Sequence, residues 1–164
     1  MNKIRIISLI LIFNLTACGF KVVNQSDLIN YRIDSINTTG ERKIAYRIKS
    51  NLLKINKIGA KEINLSMDVS KKKSIKERNI KNEITKYEIS IEVKVVANST
   101  DLKKFNQFTA LKSGNYNVDK KYSQTLNKEK KLIEQLTKTL IDEIKEELFI
   151  KINDLSKLLN REKY

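Results

Sequence analysis

From residue 31 onward the hydrophobic period switches between two and about 3.6, and each switch marks an element. Tyr31-Arg32-Ile33-Asp34-Ser35-Ile36 alternates moderately, as a first strand does. Thr38 followed three residues later by Glu41 has the form of a capping box, which satisfies free backbone N–H groups at a helix start. Behind it Ile44, Ile48, Leu52 and Ile55 recur at helical spacing. They predict an amphipathic helix of about four turns, ended by Gly59. Residues 61–69 return to strict alternation, with Ile63, Leu65, Met67 and Val69 opposite Glu62, Asn64, Ser66 and Asp68. That is the signature of a half-buried strand. Residues 83–96 repeat it, with Tyr87, Ile89, Ile91, Val93 and Val95 on one face, and their β-branched content supports a strand. Asn98-Ser99-Thr100-Asp101 is turn chemistry. Phe105 to about Ala110 forms a weaker strand running on toward Tyr116, so 83–116 reads as a long hairpin.

From about Lys120 the period is helical again. Leu126, Ile133, Leu136, Leu140, Ile144, Leu148, Ile152, Leu155 and Leu159 form one stripe. A helix from 120 to 160 would be about 60 Å long, whereas a compact domain of this size is about 40 Å across. A break near Asn153-Asp154 is therefore expected. The order β-α-β-β-β-α predicts an α+β, two-layer sandwich: a four-stranded, mostly antiparallel sheet packed against two helices. Residues 31–164 are expected to form this single domain.

The first thirty residues follow a different pattern. Met1-Asn2-Lys3-Ile4-Arg5 is positive, Ile6 to Phe13 is almost wholly apolar, and Leu15-Thr16-Ala17-Cys18 closes the run. A charged start, a short apolar stretch and small residues before the cleavage point define a secretory signal. The apolar run is about half of the ~20 residues that a membrane-spanning helix needs. Leu15-Thr16-Ala17-Cys18 resembles the bacterial lipobox, which implies that residues 1–17 are a signal peptide and that Cys18 carries the lipid. Residues 18–30 then read as a lipidated tether. Gly19, in place of Asp after the cysteine, implies the outer membrane, lipid-anchored on its periplasmic side.

Cys18 is the only cysteine in the 164 residues, so no intramolecular disulfide is available to staple the fold. The net charge is +14, which suggests an anionic partner. An export signal argues against nucleic acid and favours anionic lipid or lipopolysaccharide. Lysine outnumbers arginine 27 to 6, and His, Pro and Trp are absent, so compositional drift is a second source of the charge. Without His there is no Ser-His or Cys-His dyad and no imidazole metal ligand. Four scattered glycines make no phosphate loop. Asp142, Glu143, Glu146 and Glu147 lie among lysines and read as a solvated helix face rather than a catalytic pair. No catalytic residue, metal site or cofactor is expected, and the chain reads as a non-enzyme.

One positive constellation stands out. Lys71, Lys72, Lys73, Lys76, Arg78 and Lys81 crowd what the pattern gives as the connection between the second and third strands, with Lys103 and Lys104 near the next turn. Flexible loop lysines can meet phosphates as point charges, and they can equally be a solvated loop.

Leu15-Thr16-Ala17-Cys18-Gly19-Phe20-Lys21-Val22 resembles the start of the lipopolysaccharide-assembly lipoproteins of the LptE family. Gly114-Asn115-Tyr116-Asn117, then Tyr122-Ser123 and Glu129, resemble the alphaproteobacterial branch of that family. Ala17 and Val22 depart from its usual residues. The resemblance implies the element order derived above and a role as a plug in the lumen of the outer-membrane β-barrel LptD. There it would assist barrel assembly and help deliver lipopolysaccharide to the cell surface, binding that glycolipid through basic residues. A secretion-system pilot or structural scaffold would share the lipid anchor and use a helix face or strand edge for a different protein partner.

Overall fold

A computed structural model of the chain describes residues 31–54, 61–98 and 106–161. The expected signal peptide (residues 1–17) and tether (18–30) with Cys18, together with Ile55, Gly59, the turn residues 99–101, and Lys103 and Lys104, lie outside the described residues. The elements are β1 (Tyr31–Gly40), α1 (Arg42–Leu52), β2 (Lys61–Arg78), β3 (Ile84–Asn98), β4 (Asn106–Asn117) and α2 (Tyr122–Arg161). The four strands form one sheet in the order β1-β2-β3-β4. β1 and β2 run parallel, as a strand-helix-strand crossover requires, and the two remaining pairings are antiparallel. This is the expected two-layer α+β architecture.

Both helices cover one face of the sheet. Ile63, Leu65, Met67 and Val69 of β2 and Ile89, Ile91, Val93 and Val95 of β3 are all buried on that face. Ile44, Ile48 and Leu52 of α1, with Leu140, Ile144 and Leu148 of α2, close over them. Each such side chain contributes about 1.5–3 kcal/mol relative to exposure. The opposite face of β2 shows Glu62, Asn64, Ser66 and Asp68 to solvent, as its alternation predicts.

Four details depart from the sequence expectation. First, there is no capping box. β1 runs on through Thr38 and Thr39, which pair with Met67 and Asp68. Thr39 Oγ1 donates to Asp68 Oδ1 at 2.7 Å, so the threonines belong to the sheet rather than to a cap. The chain turns at Gly40, with φ +86°, and the Glu41 N–H donates to Val69 O at 2.8 Å. A Cβ at position 40 would lie 2.0 Å from that same oxygen, so only glycine closes this corner. Second, α1 has eleven residues, about one turn fewer than expected.

Third, α2 runs unbroken for forty residues through Asn153-Asp154. Asn and Asp weaken a helix by well under 1 kcal/mol each, whereas a break usually needs proline at about 3 kcal/mol. Fourth, Leu126 is 45% exposed, and its neighbour Thr125 is buried instead. A straight helix drifts about 20° per heptad. Leu126 stands two heptads before Leu140 and has rotated off the buried stripe. Gly114, on the helix-facing side of β4, explains how α2 approaches so closely: a Cβ there would meet Leu132 Cδ1 at 2.8 Å.

Candidate functional site

The basic cluster is not a loop. Lys71, Lys72, Lys73, Lys76 and Arg78 all lie within β2, and only Lys81 sits in the turn beyond it. The reason is the partner strand. β3 is apolar on its inner face as far as Tyr87, and Lys71, Lys73 and Ile75 pair with Ile91, Ile89 and Tyr87. Lysine stems are four methylenes long and can cover an apolar neighbour while the ammonium stays wet. Charge at these positions therefore does not end the strand.

Strand geometry then splits the cluster between two faces. Lys71 and Lys73 point to the helix side. Lys71 Nζ lies 3.8 Å from Glu41, and Lys73 Nζ lies 2.6 Å from Glu129 Oε2. Lys76 pairs with Glu88 at 2.9 Å. A register shift between Ile75 and Glu77 places Glu77 opposite Lys86, and the two pair at 2.6 Å. Arg78 Nη1 donates to Asn82 O at 2.7 Å. Lys72 and Lys81 have no acidic partner among the described residues.

The turn joining β2 to β3 is tightly built. Asn79 Oδ1 accepts the N–H groups of Lys81 (2.9 Å) and Glu83 (3.0 Å). Asn79 N donates to Glu83 O at 2.9 Å, and Asn82 occupies the left-handed region at φ 62°. Asn tolerates that conformation better than other non-glycine residues. Ile80 at the tip is fully exposed. The hairpin end thus presents cations and one isoleucine on a rigid support.

The helix-side half is a network that sequence reasoning did not assemble. Tyr116 OH donates to Glu129 Oε2 at 2.6 Å, the same oxygen that receives Lys73. Lys73 Nζ stands 4.4 Å from the Tyr87 ring centre and 5.6 Å from that of Tyr116, within cation–π range. The two rings stack with centroids 5.8 Å apart. Burial alone would lower the Lys73 pKa, but hydrogen bonds to Glu129 and Tyr116 outweigh it and raise it. Burial, reinforced by the bond to Glu129, raises the Tyr116 pKa. Burial would also raise that of Glu129, yet the Lys73 and Tyr116 contacts bring it down. The only sequence signal for this network was the resemblance, which picked out Gly114, Tyr116 and Glu129 without saying that they meet.

Among the described residues no three His, Cys, Asp or Glu side chains gather as a metal site. No described helix is long and apolar enough to cross a membrane.

No protein-family model and no curated protein matches the sequence. Solved structures do resemble the fold. A lipoprotein structure from Caulobacter crescentus superposes with a TM-score of 0.54 at 11% identity, covering 79% of this chain and 95% of its own. Rare lipoprotein B from Shewanella oneidensis gives a TM-score of 0.49 at 17% identity, covering 81% and 99%. Lipoprotein B from Nitrosomonas europaea gives 0.47 at 15%, covering 77% and 87%. The Caulobacter likeness shows a shared fold.

Proposed function

We propose that this chain is an outer-membrane lipoprotein of the LptE type. In this reading it plugs the LptD β-barrel, assists its assembly, and helps deliver lipopolysaccharide to the cell surface without catalysing a reaction. The observation that carries the reading is the polarity of the domain. Tyr31, the first described residue after the lipidation signal, pairs with Lys61 at the start of β2. The cations gather at the far end of the same strand. Arg78 lies seventeen residues beyond Lys61, about 56 Å at ~3.3 Å per residue. A bilayer with its headgroups is about 40–45 Å thick. A domain anchored in the inner leaflet and upright in a barrel lumen could therefore carry its basic tip to the outer leaflet, where lipopolysaccharide resides. The lipobox, the Cys18-Gly19-Phe20 start and the shared lipoprotein fold support the same reading.

Two experiments test it. Tagged chain should bring down a large β-barrel protein from detergent-solubilised outer membrane, and recovery of a different partner would refute the barrel role. Lys71 and Lys73 are engaged on the helix side, so the lipopolysaccharide-contacting set narrows to Lys72, Lys76, Arg78 and Lys81. Serine at all four should weaken lipopolysaccharide binding about tenfold or more, from four contacts of a few tenths of a kcal/mol each. Unchanged affinity would rule out the hairpin end as the glycolipid site.

A further inference from the structure

A second basic feature lies away from the hairpin tip. A cleft of about 670 Å³ opens between the first turns of α1 and the Leu126–Thr137 stretch of α2. That size falls in the ~300–1,000 Å³ range of small-ligand pockets. Its walls carry five cations, Arg42, Lys43, Arg47, Lys71 and Lys130, and three acids, Glu41, Glu129 and Glu134. Every acid is already matched. Glu41 lies against Lys71, Glu134 holds Arg47 at 3.1 Å, and Glu129 holds Lys73. Arg42, Lys43 and Lys130 are left without an acidic partner among the described residues, so the cleft is net positive. Ile44, Leu126 and Ile133 supply an apolar wall beside those cations. Leu126 is the residue that rotated off the core stripe, and it stays 45% exposed here.

We propose that this cleft binds an anionic glycerophospholipid, with its headgroup among Arg42, Lys43 and Lys130 and the upper part of an acyl chain along Leu126 and Ile133. Three unmatched cations alone would suit a free anion. The adjoining apolar wall, with Leu126 still 45% exposed, selects an amphiphile. The volume of about 670 Å³ limits the occupant to a headgroup and part of a chain. This site is separate from the hairpin end and does not depend on the barrel reading.

The chain has no tryptophan, so Leu126→Trp places a single reporter in the cleft. The full-length lipidated chain, in non-ionic detergent, is titrated with dihexanoyl phosphatidic acid. The Trp emission should shift to the blue and saturate. Adding Arg42→Ser, Lys43→Ser and Lys130→Ser should move the midpoint about tenfold higher, from three contacts of about 0.5 kcal/mol each. Serine at Lys72, Lys76, Arg78 and Lys81 should leave the midpoint where it was. The unsubstituted chain, followed by ³¹P line broadening of the same lipid, gives the second reading if the tryptophan disturbs the helix.

No saturable change in either measurement overturns the proposal. So does an equal midpoint for dihexanoyl phosphatidylcholine, whose phosphate charge is offset by its own choline, because the cleft would then be indifferent to the net charge of the lipid. The same shift with inorganic phosphate alone would make it an anion site and overturn the lipid. Loss of lipid binding here with barrel recovery intact would leave the proposed function standing, and the reverse pattern would separate the two the other way.

Discussion

The ion pair between β2 and α2 should be measurable as a coupling energy, using Lys73→Met, Glu129→Gln and the double variant. Glu129→Gln removes the charge but keeps an acceptor for Tyr116, so the cycle isolates the pair. The contact is 2.6 Å, with the Lys73 side chain 40% and the Glu129 side chain 20% exposed. Exposed pairs give ~0.2–1 kcal/mol, and a hydrogen bond to a charged group gives ~1.5–3 kcal/mol when well shielded. Solvent at Lys73 holds the pair near the junction of those ranges, about 1 kcal/mol. Lys73→Met alone should lose a further ~0.5–1 kcal/mol from the cation–π contact with Tyr87. Urea unfolding followed by circular dichroism reads both values, and with a slope of ~1–3 kcal/mol/M the coupling moves the midpoint by about 0.3–1 M.

The pH dependence supplies the sign. Glu129 has a lowered pKa in the fold. Its contribution is therefore present above the ordinary value of 4.5 and lost as pH falls through the lowered one. The Lys73 and Tyr116 pKa values are raised, so their contributions are intact below pH 10.0 and lost only above it. The coupling should be flat from about pH 6 to about pH 9 and vanish in acid. A coupling of zero at neutral pH would refute the network as an energetic unit. A coupling that survived full protonation of Glu129 would refute its electrostatic origin.

Gly40→Ala forces a Cβ against Val69 O at a positive φ and should destabilise by about 2 kcal/mol or more, seen as a lowered melting temperature. Ile144→Ala empties a fully buried position between α2 and the sheet and should lose about 2–5 kcal/mol in urea unfolding. Asn82→Gly should be neutral or slightly stabilising, whereas Asn82→Val at φ 62° should lose about 1 kcal/mol or more. Equal melting temperatures for the two Asn82 variants would contradict the strained turn.

Where one side chain reports burial, the sequence was readable. Ile63 to Val69 and Tyr87 to Val95 alternate because one sheet face is dry, and Ile63, Leu65, Met67, Val69, Ile89, Ile91, Val93 and Val95 are all buried there. Where burial is shared with a charged stem, it was not. Lys71 to Arg78 looked like a loop because a hydropathy pattern scores the ammonium and not the methylenes beneath it. The corner at Gly40 was also hidden. Thr38 and Glu41 stand at capping-box spacing, and nothing local reveals that β2 holds the threonines in the sheet. The candidate site suffered most, because Lys73, Tyr87, Tyr116 and Glu129 come from four elements and meet only through tertiary packing. The cleft was invisible for a related reason: its walls are the first turns of α1 and the Leu126–Thr137 stretch of α2, about eighty residues apart in the chain and brought together only by packing.

The parallel pairing of β1 with β2 has a mechanical consequence. A lipid anchor would pull on β1 from its Tyr31 end, while a partner gripping the hairpin tip would pull β2 toward Arg78. The two strands lie side by side in the same direction, so those forces oppose one another along their common axis. The slanted hydrogen bonds of this parallel ladder, interrupted once by the register shift between Ile33 and Ser35, would then be loaded together in shear rather than opened one by one. The register from Tyr31–Lys61 to Gly40–Val69 would share that load, with the Gly40 corner as its final stop. With such an anchor, the edge strand β1 would bear traction rather than peel.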